Sequence, residues 1–219
     1  MASTIRIGLL DTDSDVRLGR KLVLSSQSKF EVVFDSDGAT EDIEAIEQSL
    51  IDVLVLDQRL SFGAGLDFYS SLRNLTGVKQ APSAVLTTSY AQPELLLDAL
   101  QEGIVDVVTV EQGATGLIAA VSKASSGAVA HSLSSLWELV SSQPTYRAVD
   151  LNFVRPLDEL PERQASSLKK LKETWLSADL AKIQNFDLGS LNTLVSRLPV
   201  ASAVELVLAM NRSGLLDVE

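Results

Sequence analysis

Apolar runs of three to six residues recur through the first half of the chain, at 5–10, 30–34, 53–56, 84–86 and 105–110. The stretches between them, 15–24, 41–50, 66–75, 93–102 and 115–125, have the polar and apolar spacing of helices. Near-continuous apolar runs mark strands buried on both faces. Alternation of such strands with helices predicts a five-stranded, doubly wound parallel α/β sheet.

The second half follows a different pattern. Residues 132–140 read as one more short helix, and SSQPTYRAVDLNFVR (141–155) has no period and contains Pro144, which marks a linker. Beyond it the spacing is purely helical. Residues 160–175 place Ala165, Leu168, Leu171 and Trp175 at helical intervals, and 176–183, 188–198 and 201–212 follow. The expected organisation is an α/β domain over 1–128, a helix and linker over 129–155, and a small all-α domain over 156–219.

Composition narrows the function classes. With 219 residues, 46% of them hydrophobic, the chain can bury a real core. No apolar run approaches the roughly 18 residues that cross a bilayer, and MASTIRIG lacks the layout of a signal peptide. No membrane partner is expected, and the expected location is cytoplasmic. Cysteine is absent and His131 is the only histidine, which argues against Cys-ligated zinc, His-rich metal sites and Ser-His-Asp catalysis. P-loop and GxGxxG signatures are missing too, so no enzyme is expected. The net charge of −11 is uneven: residues 1–154 hold 10 basic and 20 acidic side chains, and residues 155–219 hold 8 and 9. A module that neutralises many phosphates is usually clearly basic, and this C-terminal part is close to neutral.

The candidate chemistry sits at strand ends. DVLVLDQRLSFGAGL (52–66) is an apolar run closing on Asp57, followed by a glycine-bearing turn into a helix. Ligands of parallel α/β sheets gather at the carboxyl ends of strands. Asp11 and Asp13 close the first strand and Thr87 and Thr88 a later one, which predicts one small acidic pocket. The plainer alternative is a strand-end acid that caps the next helix.

These segments resemble the two-component response regulators of the NarL/LuxR (FixJ) class, which join a flavodoxin-like receiver domain to a helix-turn-helix DNA-binding domain. IRIGLLDTDSDVRLG is similar to the opening strand of a receiver, DVLVLDQRLSFGAGLDF to the phosphoacceptor strand, SAVLTTSY to the switch strand, and GIVDVVTVEQGATGLIAAVSKASSG to the last strand and helix. The resemblance implies phosphoryl transfer to Asp57, a Mg²⁺ ion held by Asp11, Asp57 and the carbonyl of Arg59, and Thr87 as the switch hydroxyl. RLPVASAVELVLAMNRSGLL is similar to the end of the DNA-binding domain through Glu205, Val207, Gly214, Leu215 and Leu216. LPERQASSLKKLKETWLSADLAKI is a weaker likeness to its first two helices.

Several positions depart from that pattern. Thr12 stands at the second acid of the metal cluster, Val110 at the lysine that pairs with the phosphoryl group, and Val107 at the switch aromatic. Thr88 fills a place usually kept small, and Ser61 replaces a common proline. The metal site is therefore expected to be degraded, with no certain cofactor. In the C-terminal domain the recognition helix is about one turn short, with Asn192, Thr193 and Arg197, beside Ser190 and Ser196, as the DNA-facing candidates. Lys169, Lys170 and Lys172 suit phosphate contact or a solvated helix face. Leu95, Leu96, Leu97 and Leu100, together with the apolar 201–210 stretch containing Val207 and Leu208, predict a homodimer. The resulting expectation is an atypical response regulator that works through protein contacts, with weak DNA binding. The alternative is an ordinary phosphorylation-activated DNA-binding transcription factor.

Overall fold

The computed structural model describes residues 4–77, 81–127, 136, 160–177, 179–198, 200, 202–213 and 215–216. The chain divides into two compact units at residues 128/129. The expected helix at 132–140, the 141–155 linker, His131 and Gly214 lie outside the described residues, Leu136 excepted.

The first unit alternates strand and helix: β1 (Ile5–Leu10), α1 (Ser14–Ser25), β2 (Phe30–Ser36), α2 (Asp42–Gln48) and β3 (Val53–Asp57). A small antiparallel pair, β4 (Arg59–Leu60) and β5 (Gly63–Ala64), then leads into α3 (Gly65–Thr76). β6 (Ser83–Thr88), α4 (Pro93–Gln101), β7 (Ile104–Thr109) and α5 (Gly113–Ser126) complete it. The main sheet has the order β2-β1-β3-β6-β7 and every pairing in it is parallel. This is the five-stranded doubly wound sheet that the apolar runs predict. The β4–β5 pair was not anticipated, because two-residue strands carry no period.

Strand pleating splits the core between the two faces. Leu10, Leu54, Leu56 and Leu86 pack with Phe68 and Leu72 of α3 on one side. Ile7, Leu9, Val53, Val55 and Val85 pack with Leu117 and Val121 of α5 on the other. Along the inner strands such burial leaves the ends as the open parts, and the order of the strands reverses at β1/β3, the place where parallel α/β sheets hold ligands.

The second unit contains α6 (Glu162–Leu176), α7 (Leu180–Gln184), a 3-10 turn over Leu188–Leu191, α8 (Asn192–Val195) and α9 (Ala203–Arg212). Two expectations are corrected here. The helix read over 176–183 starts only at Leu180, since Asp179 accepts hydrogen bonds from the Ala181 and Lys182 amides and sets a new N-terminus. The helix read over 188–198 changes type along its length: Asp187 accepts from the Gly189 amide at 2.9 Å, which favours a 3-10 turn at its start, and that turn runs without a gap into α8. Val207 is 0% and Leu208 1% exposed, so both are buried within the chain. Of the α4 leucines, Leu100 is buried, and Leu95 and Leu96 are half-buried against the receiver core.

Candidate functional site

Asp11 follows β1, Asp57 ends β3 and Thr87 lies near the end of β6, on three neighbouring strands. Register brings Asp57 and Thr87 side by side. Asp11 and Thr87 are each 3% exposed and the Asp57 side chain is about one-fifth exposed, so Asp57 is the most open of the three. The first strand-end acid, the phosphoacceptor candidate and the switch hydroxyl therefore meet.

Each carboxylate oxygen in this pocket already has a donor. Asp11 Oδ1 accepts from the Asp13 amide at 2.8 Å, and Asp11 Oδ2 takes Nη1 of Arg20. Asp57 Oδ1 accepts from the Arg59 amide at 3.1 Å. Asp57 Oδ2 accepts from Arg20 Nη2 at 3.3 Å, from Arg20 Nη1 at 3.4 Å and from Thr87 Oγ1 at 3.2 Å. Arg20 is the site residue that sequence reasoning missed. It lies on α1 three residues beyond Arg17, hence on the same helix face, and Arg17 Nη1 donates to the Asp11 carbonyl. The planar guanidinium fork suits two carboxylates at once.

Local structure explains the arrangement. Asp13 turns away from the pocket to cap α1, its Oδ1 accepting from the Asp15 and Val16 amides at 3.0 and 3.1 Å. That cap aims the helix, and with it Arg17 and Arg20, at the strand ends. Gly65 opens α3 directly over β3; a Cβ there would overlap the Asp57 carbonyl oxygen. Burial pushes the Asp11 carboxyl above its usual range, against the lowering pull of the Asp13 amide and of Arg20, while the charge of Asp57 adds to the rise.

The departing positions are placed as follows. Thr12 is exposed. Val110 lies just past β7 in a 3-10 turn, 67% exposed, and Val107 is buried in the core beside α4. Thr88 is buried and bonds the Tyr90 carbonyl at 3.2 Å. Ser61 ties the β4–β5 loop to Asp37 through a 2.8 Å bond.

A divalent cation fits this donor set poorly. The two acids are occupied by Arg20, Asp13 serves as a helix cap, and no group of three His, Cys, Asp or Glu side chains among the described residues is placed to hold a metal. In the second unit Asn192, Thr193 and Arg197 are exposed around α8, as are Lys169 and Lys170 on α6, with Lys172 half-buried. Lys169 pairs with Glu173 at 3.9 Å.

Residues 7–122, just over half of the chain, match the family model of the response regulator receiver domain. The chain belongs to that family. The chain is 33% identical over 105 residues to the nitrate/nitrite response regulator protein homolog of Haemophilus influenzae, a stretch that is 47% of this chain and 50% of that protein. The chain thus spans half the length of this relative. Among solved structures, the chain resembles the signal receiver domain of the NarL response regulator from Mycobacterium tuberculosis, with a TM-score of 0.52, 24% identity and cover of 57% of this chain and 98% of that one. It also resembles a LuxR-family response regulator from Aurantimonas sp. SI85-9A1, with a TM-score of 0.55, 23% identity and cover of 64% and 98%. At these identities the structural likeness concerns the fold. The receiver is a module of two-component signalling, and no helix among its described residues is long and apolar enough to cross a membrane.

Proposed function

We propose that this protein is an atypical response regulator of the NarL/LuxR type that works without Mg²⁺-dependent phosphorylation of Asp57. One observation carries the reading: where a phosphoryl group on Asp57 would need a lysine, the chain presents Val110, apolar and turned out to solvent. A carboxyl phosphate lacking that cation loses several kcal/mol of charge stabilisation, which is orders of magnitude in occupancy. The receiver over 1–128 then acts as a folded platform for other regulatory proteins, and the helical unit over 156–219 is its output module. Contact with DNA through Asn192, Thr193 and Arg197 is secondary in this reading, because one arginine and two neutral side chains neutralise few phosphates.

The retained Asp57–Thr87 pair favours a second reading, an ordinary phosphorylation-activated transcription factor. Beryllofluoride with Mg²⁺ separates the two. Wild-type protein is expected to show no saturable thermal shift, and to be indistinguishable from Asp57→Ala. Saturable stabilisation that Asp57→Ala abolishes would establish the second reading instead.

A further inference from the structure

Arg20 enters the acidic pocket from α1, and nothing in the family pattern of acids, hydroxyl and lysine accounts for it. We infer that Arg20 is a built-in cation of this receiver, its guanidinium standing where a divalent ion would bridge Asp11 and Asp57 and holding Thr87 against Asp57 without a phosphoryl group. The inference deepens the phosphorylation-independent reading and rests on it.

Three observations carry it. Arg20 Nη1 meets Asp11 Oδ2, and both Nη atoms lie within 3.4 Å of Asp57 Oδ2, so one group bridges acids on two different strands. The Arg20 side chain is only 16% exposed and the Asp11 side chain 5%, which places the pair largely out of solvent. Two carboxylates in such a place repel each other unless a cation sits between them. The Asp57 oxygen that faces Arg20 also accepts from Thr87 Oγ1 at 3.2 Å, so the switch hydroxyl is bonded to the same atom as the guanidinium. Arginine keeps its charge at any physiological pH and, unlike a dissociable ion, is present in every molecule. The pocket is thereby set once, by the chain itself.

Removing the charge while keeping the aliphatic stem should vacate the cation position. Arg20→Met is expected to bind Mn²⁺ at least about tenfold more tightly than wild type, read by paramagnetic broadening of amides near Asp11 and Asp57. Arg20→Met/Asp57→Asn should lose that gain. Mn²⁺ binding by the wild type equal to that of Arg20→Met would overturn the inference. If Arg20→Met alone is too unstable to titrate, its repulsion should be relieved by the second change, so that the double variant folds and melts higher. Equal instability of the single and double variants would also overturn it. Failure here is distinct from failure of the functional reading: a beryllofluoride response in wild type refutes the reading, whereas an Arg20→Met variant that gains no Mn²⁺ refutes only the role of Arg20.

Discussion

At the residue scale, a titratable acid and a glycine set the terms of the pocket. Folding raises the Asp11 carboxyl above its ordinary value of 3.8 because burial outweighs the attraction of Arg20. A group whose pKa rises on folding holds its proton more tightly in the native state. Its contribution to stability is complete below the ordinary value and is lost as pH rises through the raised one. Urea unfolding of wild type and Asp11→Asn from about pH 3 to about pH 7 should therefore show the wild type losing ground to the variant as pH rises. A difference that stays flat or grows would contradict this account. Gly65 is the steric counterpart. Gly65→Ala forces a methyl into the backbone of Asp57 and is expected to destabilise by about 1–3 kcal/mol or more in thermal unfolding. Gly19, on an open face of α1 with no heavy atom within 4 Å of an added Cβ, serves as its control. Gly19→Ala should stabilise by about 0.5–1 kcal/mol, since alanine spares the entropy that glycine loses in a helix.

At the scale of elements, α1 governs the pocket because its first residue is fixed. Asp13→Ala removes two capping bonds and should cost about 1 kcal/mol. It should also shift the amide resonances of Asp57 and Thr87, since α1 carries Arg20 to them; an unperturbed pocket would uncouple helix and site. Most of this architecture was legible in the chain, as all five main strands and five receiver helices fall within two residues of their expected ends. Apolar runs bounded by polar turns leave little choice of register when both faces of a sheet are buried. Arg20 was not legible. Spacing reveals which helix face a residue occupies, but not how far a long, flexible stem carries its charged head. Val207 and Leu208 lie on a helix whose burial spacing alone does not reveal. Residues 203–210 are buried throughout, the charged Glu205 included, so a polar position there does not mark the open face of the helix. The 3-10 start of the 188–198 helix did carry a signal, the Asp-Leu-Gly of a capped turn, which apolar periodicity overrode.

At the scale of the molecule, the first unit has its own sheet and two apolar layers. A chain ending at residue 127 is expected to unfold in one cooperative urea transition, with far-ultraviolet and near-ultraviolet signals coincident. Separated transitions, or failure to fold, would show that the receiver needs the rest of the chain. Phe68 is wholly buried in the α3 layer, and Phe68→Ala should cost this unit about 3–5 kcal/mol.

The composition around α8 has a consequence for address. The 3-10 turn and α8 together run over Leu188–Val195, and the basic side chain beside their exposed polar residues is Arg197. Guanine in a major groove is met by arginine or lysine, so in the reading proposed above this unit would distinguish few letters of a site. Where such a regulator acted would then be decided by the proteins its receiver meets.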